Sequence, residues 1–211
     1  MILHDYFRSS AAYRVRIALN LKGLAPERRF VHLRKGEQRT PDYLALNPQG
    51  FVPTLEVDGR RLTQSLAIIE YLEEQYPQPA LLPSGAVDRA WVRSIALAIA
   101  CDIHPLNNLR VLKHLGRALA IEEPRRDEWY RHWVNEGFVA LEAQLATRAT
   151  GACCFGETPT LADVCLVPQV ANARRLDVDL VPYPRIAAID AACRALAPFR
   201  DAAPENQPDA E

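Results

Sequence analysis

The spacing of apolar residues changes character once along this 211-residue chain, at PQPALLPSG (Pro77–Gly85), and does not change back. Before that stretch, short β-like runs alternate with helical ones; after it, no convincing strand run occurs. Prolines and a glycine so closely placed break either kind of element. The sequence therefore predicts an α/β domain over residues 1–76, a linker over 77–87 and an all-helical domain over 88–211.

Within the first part, ILHDYF is a short strand candidate. Ala11 to Lys22 brings Val15, Ala18 and Leu19 to helical spacing, Ile17 and Leu21 widen that face, and Gly23 stands ready to end it. RRFVHL offers a second strand, parallel to the first if the helix is a crossover. VPTLEVDGRRLT reads as a hairpin, because Asp58-Gly59 supplies the positive φ values of a tight turn. From Ser65 the period becomes 3.6, with Leu66, Ile69, Leu72 and Tyr76 on one stripe and Glu70, Glu73 and Glu74 as polar positions.

Past the break, Asp88 to about Leu115, Asp127 to Arg148, Thr160 to Arg174 and Arg185 to Leu196 read as helices. Thr160 supplies an N-cap and Asp163 a carboxylate in the first turn. The stretch APENQPDAE is proline-rich and acidic, and is expected to be loose.

Composition excludes several functions. The chain has 25 basic and 26 acidic residues, a net charge of -1, and its cations are dispersed. Neither nucleic acid nor an anionic membrane surface is an expected partner. The apolar stretch IALAIAC is far shorter than a membrane span, and MILHDYFRSS lacks a signal-peptide core. The five cysteines are odd in number and show no CxxC or zinc spacing, so they read as reduced core thiols of a cytoplasmic protein. Asp102, His104 and Asn108 lack a second histidine to complete a metal site, and no metal is expected.

The chemistry starts from FRSSAAYRVRIALNLKGL (Phe7–Leu24). Arg8 lies ahead of a helix start and Arg14 just inside it, where the backbone already presents positive partial charge; Arg14 falls among apolar neighbours, so a purely structural role is the alternative for it. Such a cluster suits an anion that is not part of the chain. Ser9 and Ser10 precede that helix, whose free N–H groups can receive an anion. Gln64-Ser65 opens a second helix directly after the hairpin and forms another potential carboxylate site. Val52-Pro53 starts the hairpin, and a cis bond there would turn the Val52 backbone outward toward an extended peptide. The ordinary readings are an N-cap serine, a strand-opening proline and a solvated arginine.

Taken together, RSSAAYRVRIAL, ALNPQGFVPTL, LTQSLAIIEYLEE, LADVCLVPQVANA and VDLVPYP resemble the zeta-class glutathione transferases, in their maleylacetoacetate isomerase branch. The resemblance spans nearly the whole chain. It implies a thioredoxin-like N-terminal domain, an all-α C-terminal domain, a homodimer and glutathione as cofactor. It implies that Ser9 and Ser10 bind and activate glutathione, and that Gln64 and Ser65 hold its γ-glutamyl end. Val52, before a cis Pro53, would pair with the cysteinyl backbone, and Gln38 would reach toward the glycine end. His104 and Asn108 match contacts from the helical domain, and Arg8 and Arg175 match cations for a small carboxylate substrate.

The implied reaction turns a cis double bond trans during the breakdown of tyrosine and phenylalanine. A thiolate adds to the conjugated alkene, a single bond rotates, and the thiolate leaves. Ala11 stands where many members carry cysteine, and Tyr13 where tryptophan or histidine is frequent. CDIHPLNNLRVL, with Arg110, also resembles bacterial maleylpyruvate isomerases, whereas RSSAAYR favours the larger substrate. A glutathione-binding module without turnover is the reading from another class.

Overall fold

The computed structural model describes residues 1–148 and 151–211. The chain divides into two compact units, Met1–Leu81 with Ala195–Glu211, and Leu82–Arg194. The expected helical domain therefore ends at Arg194, and the last stretch belongs to the first unit.

The first unit is built on a four-stranded sheet, β1 (Ile2–Asp5), β2 (Glu27–Phe30), β3 (Thr54–Val57) and β4 (Arg60–Thr63), in the order β2-β1-β3-β4. β1 and β2 run parallel, joined by the helix α1 (Ser10–Leu21), and the other pairings are antiparallel. α1 ends where expected. Gly23 has φ +67°, its N–H donates to Asn20 O and the Leu24 N–H to Leu19 O, which closes the last turn. Asp58 and Gly59 both have positive φ, as the two-residue hairpin between β3 and β4 requires.

Two further elements lie between β2 and β3: a 3-10 turn over Glu37–Arg39 and a short helix α2 (Pro41–Leu46) capped by Thr40. α3 (Ser65–Gln75) follows the hairpin. α1 and α3 pack together, and Leu3, Val15, Ile17, Leu55, Ile68 and Leu72 form a core without solvent access. Tyr6, Phe7, Val31, Tyr43 and Val52 form a second apolar cluster. Ile68 rather than Leu66 is fully buried on α3, and Glu73 is not a solvated position. Its carboxylate accepts from Lys22 Nζ at 2.6 Å and from the Leu81 N–H at 2.9 Å, so the buried charge is compensated.

The residues from Ala197 onward are folded, and APENQPDAE (residues 203–211) among them departs from the expectation of a loose stretch. They form α9 (Ala197–Arg200), named after the helices of the second unit, and a 3-10 turn over Pro204–Asn206. The Gln207 amide is buried and donates to the carbonyls of Asp201 and Ala203 at 2.9 and 2.7 Å. Composition suggested a solvated segment, but these backbone partners hold it.

The second unit is helical among the described residues: α4 (Ala86–Leu97), α5 (Leu109–Arg117), α6 (Glu123–Ala146), α7 (Leu161–Arg175) and α8 (Pro184–Ala195). Instead of one helix to Leu115, α4 passes into a π-helical segment (Ala98–Ile103) and a 3-10 turn (His104–Asn107). Pro105 has no N–H to continue an α-helix, and Asn108 adopts extended backbone to cap α5. Every residue from Leu161 to Val170 is buried, so α7 is the core helix of this unit, packed against α4. Thr160 caps its start as expected, and the Asp163 carboxylate answers it to make a capping box. No helix of the described residues is long and apolar enough to cross a membrane.

Candidate functional site

Ser9 is the N-cap of α1, and its Oγ accepts the Ala12 N–H at 3.2 Å. A hydroxyl that accepts keeps its own proton free to donate. Ser9 is half-buried and Ser10 is buried, while Arg8 stands exposed just ahead of them. The turn that delivers them is closed by the Ser9 N–H donating to Tyr6 O at 3.0 Å. A proton donor thus stands at a helix N-terminus, with an exposed arginine one residue ahead in the chain, a combination that favours a negatively charged atom.

The start of α3 is a second anion-compatible place. Gln64 precedes it with φ +69°, a region costly for a residue with a side chain, and the helix has no side-chain cap. Its first backbone N–H groups thus remain open to a ligand carboxylate. Beneath it, the buried Arg14 donates to Ser65 Oγ at 3.4 Å and adds positive charge. Arg14 is thus a buried support of the α3 terminus. Gln64 Nε2 donates to Gln49 Oε1 at 3.0 Å, and the Gln49 N–H donates to Asn47 Oδ1. Gln49 and Asn47 were missed as candidates, although both lie in the turn-forming NPQG.

The Val52–Pro53 bond is cis, and both residues are buried. Gln38 is buried as well. Its Nε2 donates to Leu33 O at 3.3 Å, and its Oε1 is a buried acceptor without a hydrogen-bond partner among the described residues. Gly50, at φ +63°, passes close to this residue: a Cβ there would lie 2.8 Å from Gln38 O. Only glycine fits that approach. An open acceptor at Gln38, an uncapped α3 and a free Ser9 proton fit a peptide that carries carboxylates and a thiol.

In the second unit, His104 Nε2 and Asn108 Nδ2 lie 3.5 Å apart, so the pair meets although the two residues do not share an α-helix. Asn108 Oδ1 accepts the Arg110 N–H at 3.1 Å, and Arg110 is exposed. Arg175 is exposed at the end of α7, with its Cζ 5.8 Å from the ring centre of Tyr130. Burial pushes the Tyr130 hydroxyl above its ordinary pKa, and the Arg175 charge works against that shift.

The cysteines depart from expectation in one respect: Cys101 is exposed, while Cys153, Cys154, Cys165 and Cys193 are buried. Sγ atoms of Cys153 and Cys193 and a carboxylate oxygen of Asp163 lie within 4.8 Å of one another. The carboxylate already accepts from the Cys154 N–H, the Thr160 N–H and Thr160 Oγ1 at 2.7 to 2.8 Å. A hydrogen bond to Cys153 and burial push the Cys193 thiol far up, and burial does the same to Cys154. With its carboxylate engaged by three protein donors, Asp163 serves in this cluster as the cap of α7.

Comparison with known proteins places this geometry. Residues 8–75 match the family model described as glutathione S-transferase, N-terminal domain. The chain is 52% identical to a probable maleylacetoacetate isomerase of Vibrio cholerae, over 100% of this chain and 98% of the relative. It superposes with a TM-score of 0.98, at 51% identity and with full coverage of both chains, on a holo maleylpyruvate isomerase described as a bacterial zeta-class glutathione S-transferase. A maleylacetoacetate isomerase of Methylobacterium extorquens AM1, solved with malonate and glutathione bound, matches with a TM-score of 0.97 and 41% identity, again over 100% of each chain. The chain belongs to the glutathione S-transferase family, in its zeta class of maleylacetoacetate and maleylpyruvate isomerases.

Proposed function

We propose that the chain catalyses the glutathione-dependent cis-trans isomerisation of maleylacetoacetate to fumarylacetoacetate. The observation that carries this reading is Ser9, an N-cap whose hydroxyl proton is left to donate, set beside Arg8 in a chain 52% identical over its full length to a probable isomerase of that substrate. Bound glutathione supplies a thiolate that adds to the conjugated double bond and leaves again once the resulting single bond has rotated.

The residues have two tasks in this reaction. The first is to keep sulfur ionised, since a free thiol has a pKa of about 8.5. Lowering that by about two units takes roughly 2.7 kcal/mol of preferential stabilisation of the anion. A charge-assisted hydrogen bond from Ser9 and the α1 N-terminus together approach that figure. Gln64, Ser65 and the open α3 terminus hold a carboxylate of the cofactor, Gln38 and the Val52 backbone hold its peptide groups, and Ser10 supports Ser9. His104, Asn108 and Arg110 are further cofactor contacts in this proposal.

The second task is to hold the substrate carboxylate and the charge that develops on addition. Arg8 and Arg175 are exposed guanidiniums suited to carboxylates. The malonate bound in the relative from M. extorquens supports a carboxylate ligand. Ala11 takes no part, because the nucleophilic sulfur belongs to glutathione.

Maleylpyruvate is the second reading, favoured by the TM-score of 0.98 to an isomerase of that substrate. The deciding experiment measures glutathione-dependent isomerisation of both diketo acids by purified protein. Faster turnover of maleylacetoacetate upholds the first reading, and much faster turnover of maleylpyruvate replaces it with the second. Retention on immobilised glutathione without isomerisation of either would leave a binding module. A homodimer working in the cytoplasm completes the proposal, and light scattering coupled to size exclusion tests the dimer.

A further inference from the structure

The turn Tyr6–Ser9, which delivers the catalytic serine, is anchored from two sides. Arg16 is buried on α1 and donates from Nη2 to Phe7 O at 3.0 Å, from Nη1 to Tyr6 O at 3.3 Å, and from Nε to Ala202 O at 2.9 Å. The Asp5 carboxylate, fully buried, holds Arg16 Nη1 at 2.8 Å and pairs with Arg28 Nη2. Arg28 Nη1 in turn donates to Gln207 Oε1 at 2.7 Å, so the segment after α9 is tied into the same network. The second anchor comes from that segment directly: the Phe7 N–H donates to Asp209 Oδ2 at 2.9 Å.

Phe7 therefore has its carbonyl fixed by α1 and its N–H fixed by a residue 202 positions away in sequence. The other Asp209 oxygen is buried without a hydrogen-bond partner among the described residues. An exposed acid with no role would turn that oxygen to water. The carboxylate's negative charge lies on the side of the molecule where Ser9 is to stabilise another negative charge, so its charge as such does not help the reaction. What it contributes is an acceptor that holds the turn in place.

We propose that Asp209 is a positioning residue for Ser9, and that the segment Pro204–Asp209 is a strap that completes the active turn through the Phe7 amide. The inference rests on the isomerase reading above. Ser9 must meet a sulfur anion within hydrogen-bond tolerance, and displacements of about 1 Å in such contacts cost up to about a hundredfold in rate. A turn released on one side loses that tolerance while α1 stays folded.

The test uses full-length protein with Asp209→Ala and Asp209→Asn. The kinetics of glutathione-dependent maleylacetoacetate isomerisation are measured alongside the thiolate absorbance of bound glutathione as a function of pH. Asp209→Ala is expected to lower kcat/KM by at least about fivefold. It should also move the thiolate titration upward by at least about half a pH unit, a threefold change in the ionisation equilibrium. Asp209→Asn keeps a side-chain oxygen for the Phe7 N–H and is expected to restore both to within about twofold of the parent.

A role confined to stability would lower the melting temperature of Asp209→Ala and leave the titration of the folded protein unmoved, and that result overturns the proposal. Equal behaviour of the Ala and Asn variants would assign the effect to charge and overturns it as well. If Asp209→Ala does not fold, Gln207→Ala releases the strap from Arg28 and from the Asp201 and Ala203 carbonyls, and carries the same expectation and the same refutation. A parent protein with neither thiolate absorbance nor isomerisation removes the functional reading and this inference together. An active parent with unaffected variants removes the inference alone.

Discussion

The Ser9 hydroxyl accepts the Ala12 N–H, so replacing it removes a helix cap as well as a proton donor. The two effects separate by choice of substituent. Ser9→Ala is expected to lose about 1 kcal/mol of stability with the cap. It should also lose at least about tenfold in isomerisation rate, about 1.4 kcal/mol of transition-state stabilisation. Ser9→Asn caps equally well, so its melting temperature should stay near that of the parent while the rate still falls. An unchanged rate in both variants takes Ser9 out of the mechanism. Arg14 teaches a related lesson: it belonged by sequence to the same positive cluster as Arg8, but it is buried at Ser65 while Arg8 is exposed. Linear order placed both cations at one helix start, and the fold gave them different work.

At the level of elements, β1 and β3 are joined by their ladder and by a side-chain pair on one face. His4 Nε2 and Glu56 Oε1 are 2.7 Å apart, and the His4 ring meets Tyr43 of α2 edge-on at 5.8 Å. The hydrogen bond from His4 holds the Glu56 carboxyl below its ordinary pKa. A lowered folded-state pKa means that the folded protein binds this proton less readily than the unfolded chain. The pair's contribution is therefore complete above the ordinary carboxylate pKa, and fades as pH falls through the lower, folded-state value. Urea unfolding of the parent and of Glu56→Gln should differ at neutral pH and converge in acid. A difference independent of pH would show that Glu56 acts by packing alone. The hairpin and crossover were legible because turn residues and a change of period are local signals. α2 and the π-helical segment were not, since each is only about six residues long and set by what it packs against.

At the level of the molecule, Asp163 ties two segments of the helical unit together. It is fully buried, and three hydrogen bonds tie the segment before α7 to the helix start, yet burial still outweighs them and raises its pKa. Asp163→Ala strands two buried N–H donors and is expected to cost about 2–4 kcal/mol in urea unfolding. A loss under about 1 kcal/mol would mean that those donors find other partners. By itself the sequence determined the two-part architecture, the strand order of the hairpin, the caps of α1 and α7 and the candidate residues Ser9, Gln64 and Ser65, because these rest on periods and short motifs that neighbouring residues set among themselves. The tertiary structure alone decided that Glu73 and Asp163 are buried charges, that Pro204–Asp209 is held rather than loose, and that Asp209 reaches Phe7. Burial and long-range hydrogen bonding depend on residues brought together from far along the chain, and no local pattern encodes which of them meet.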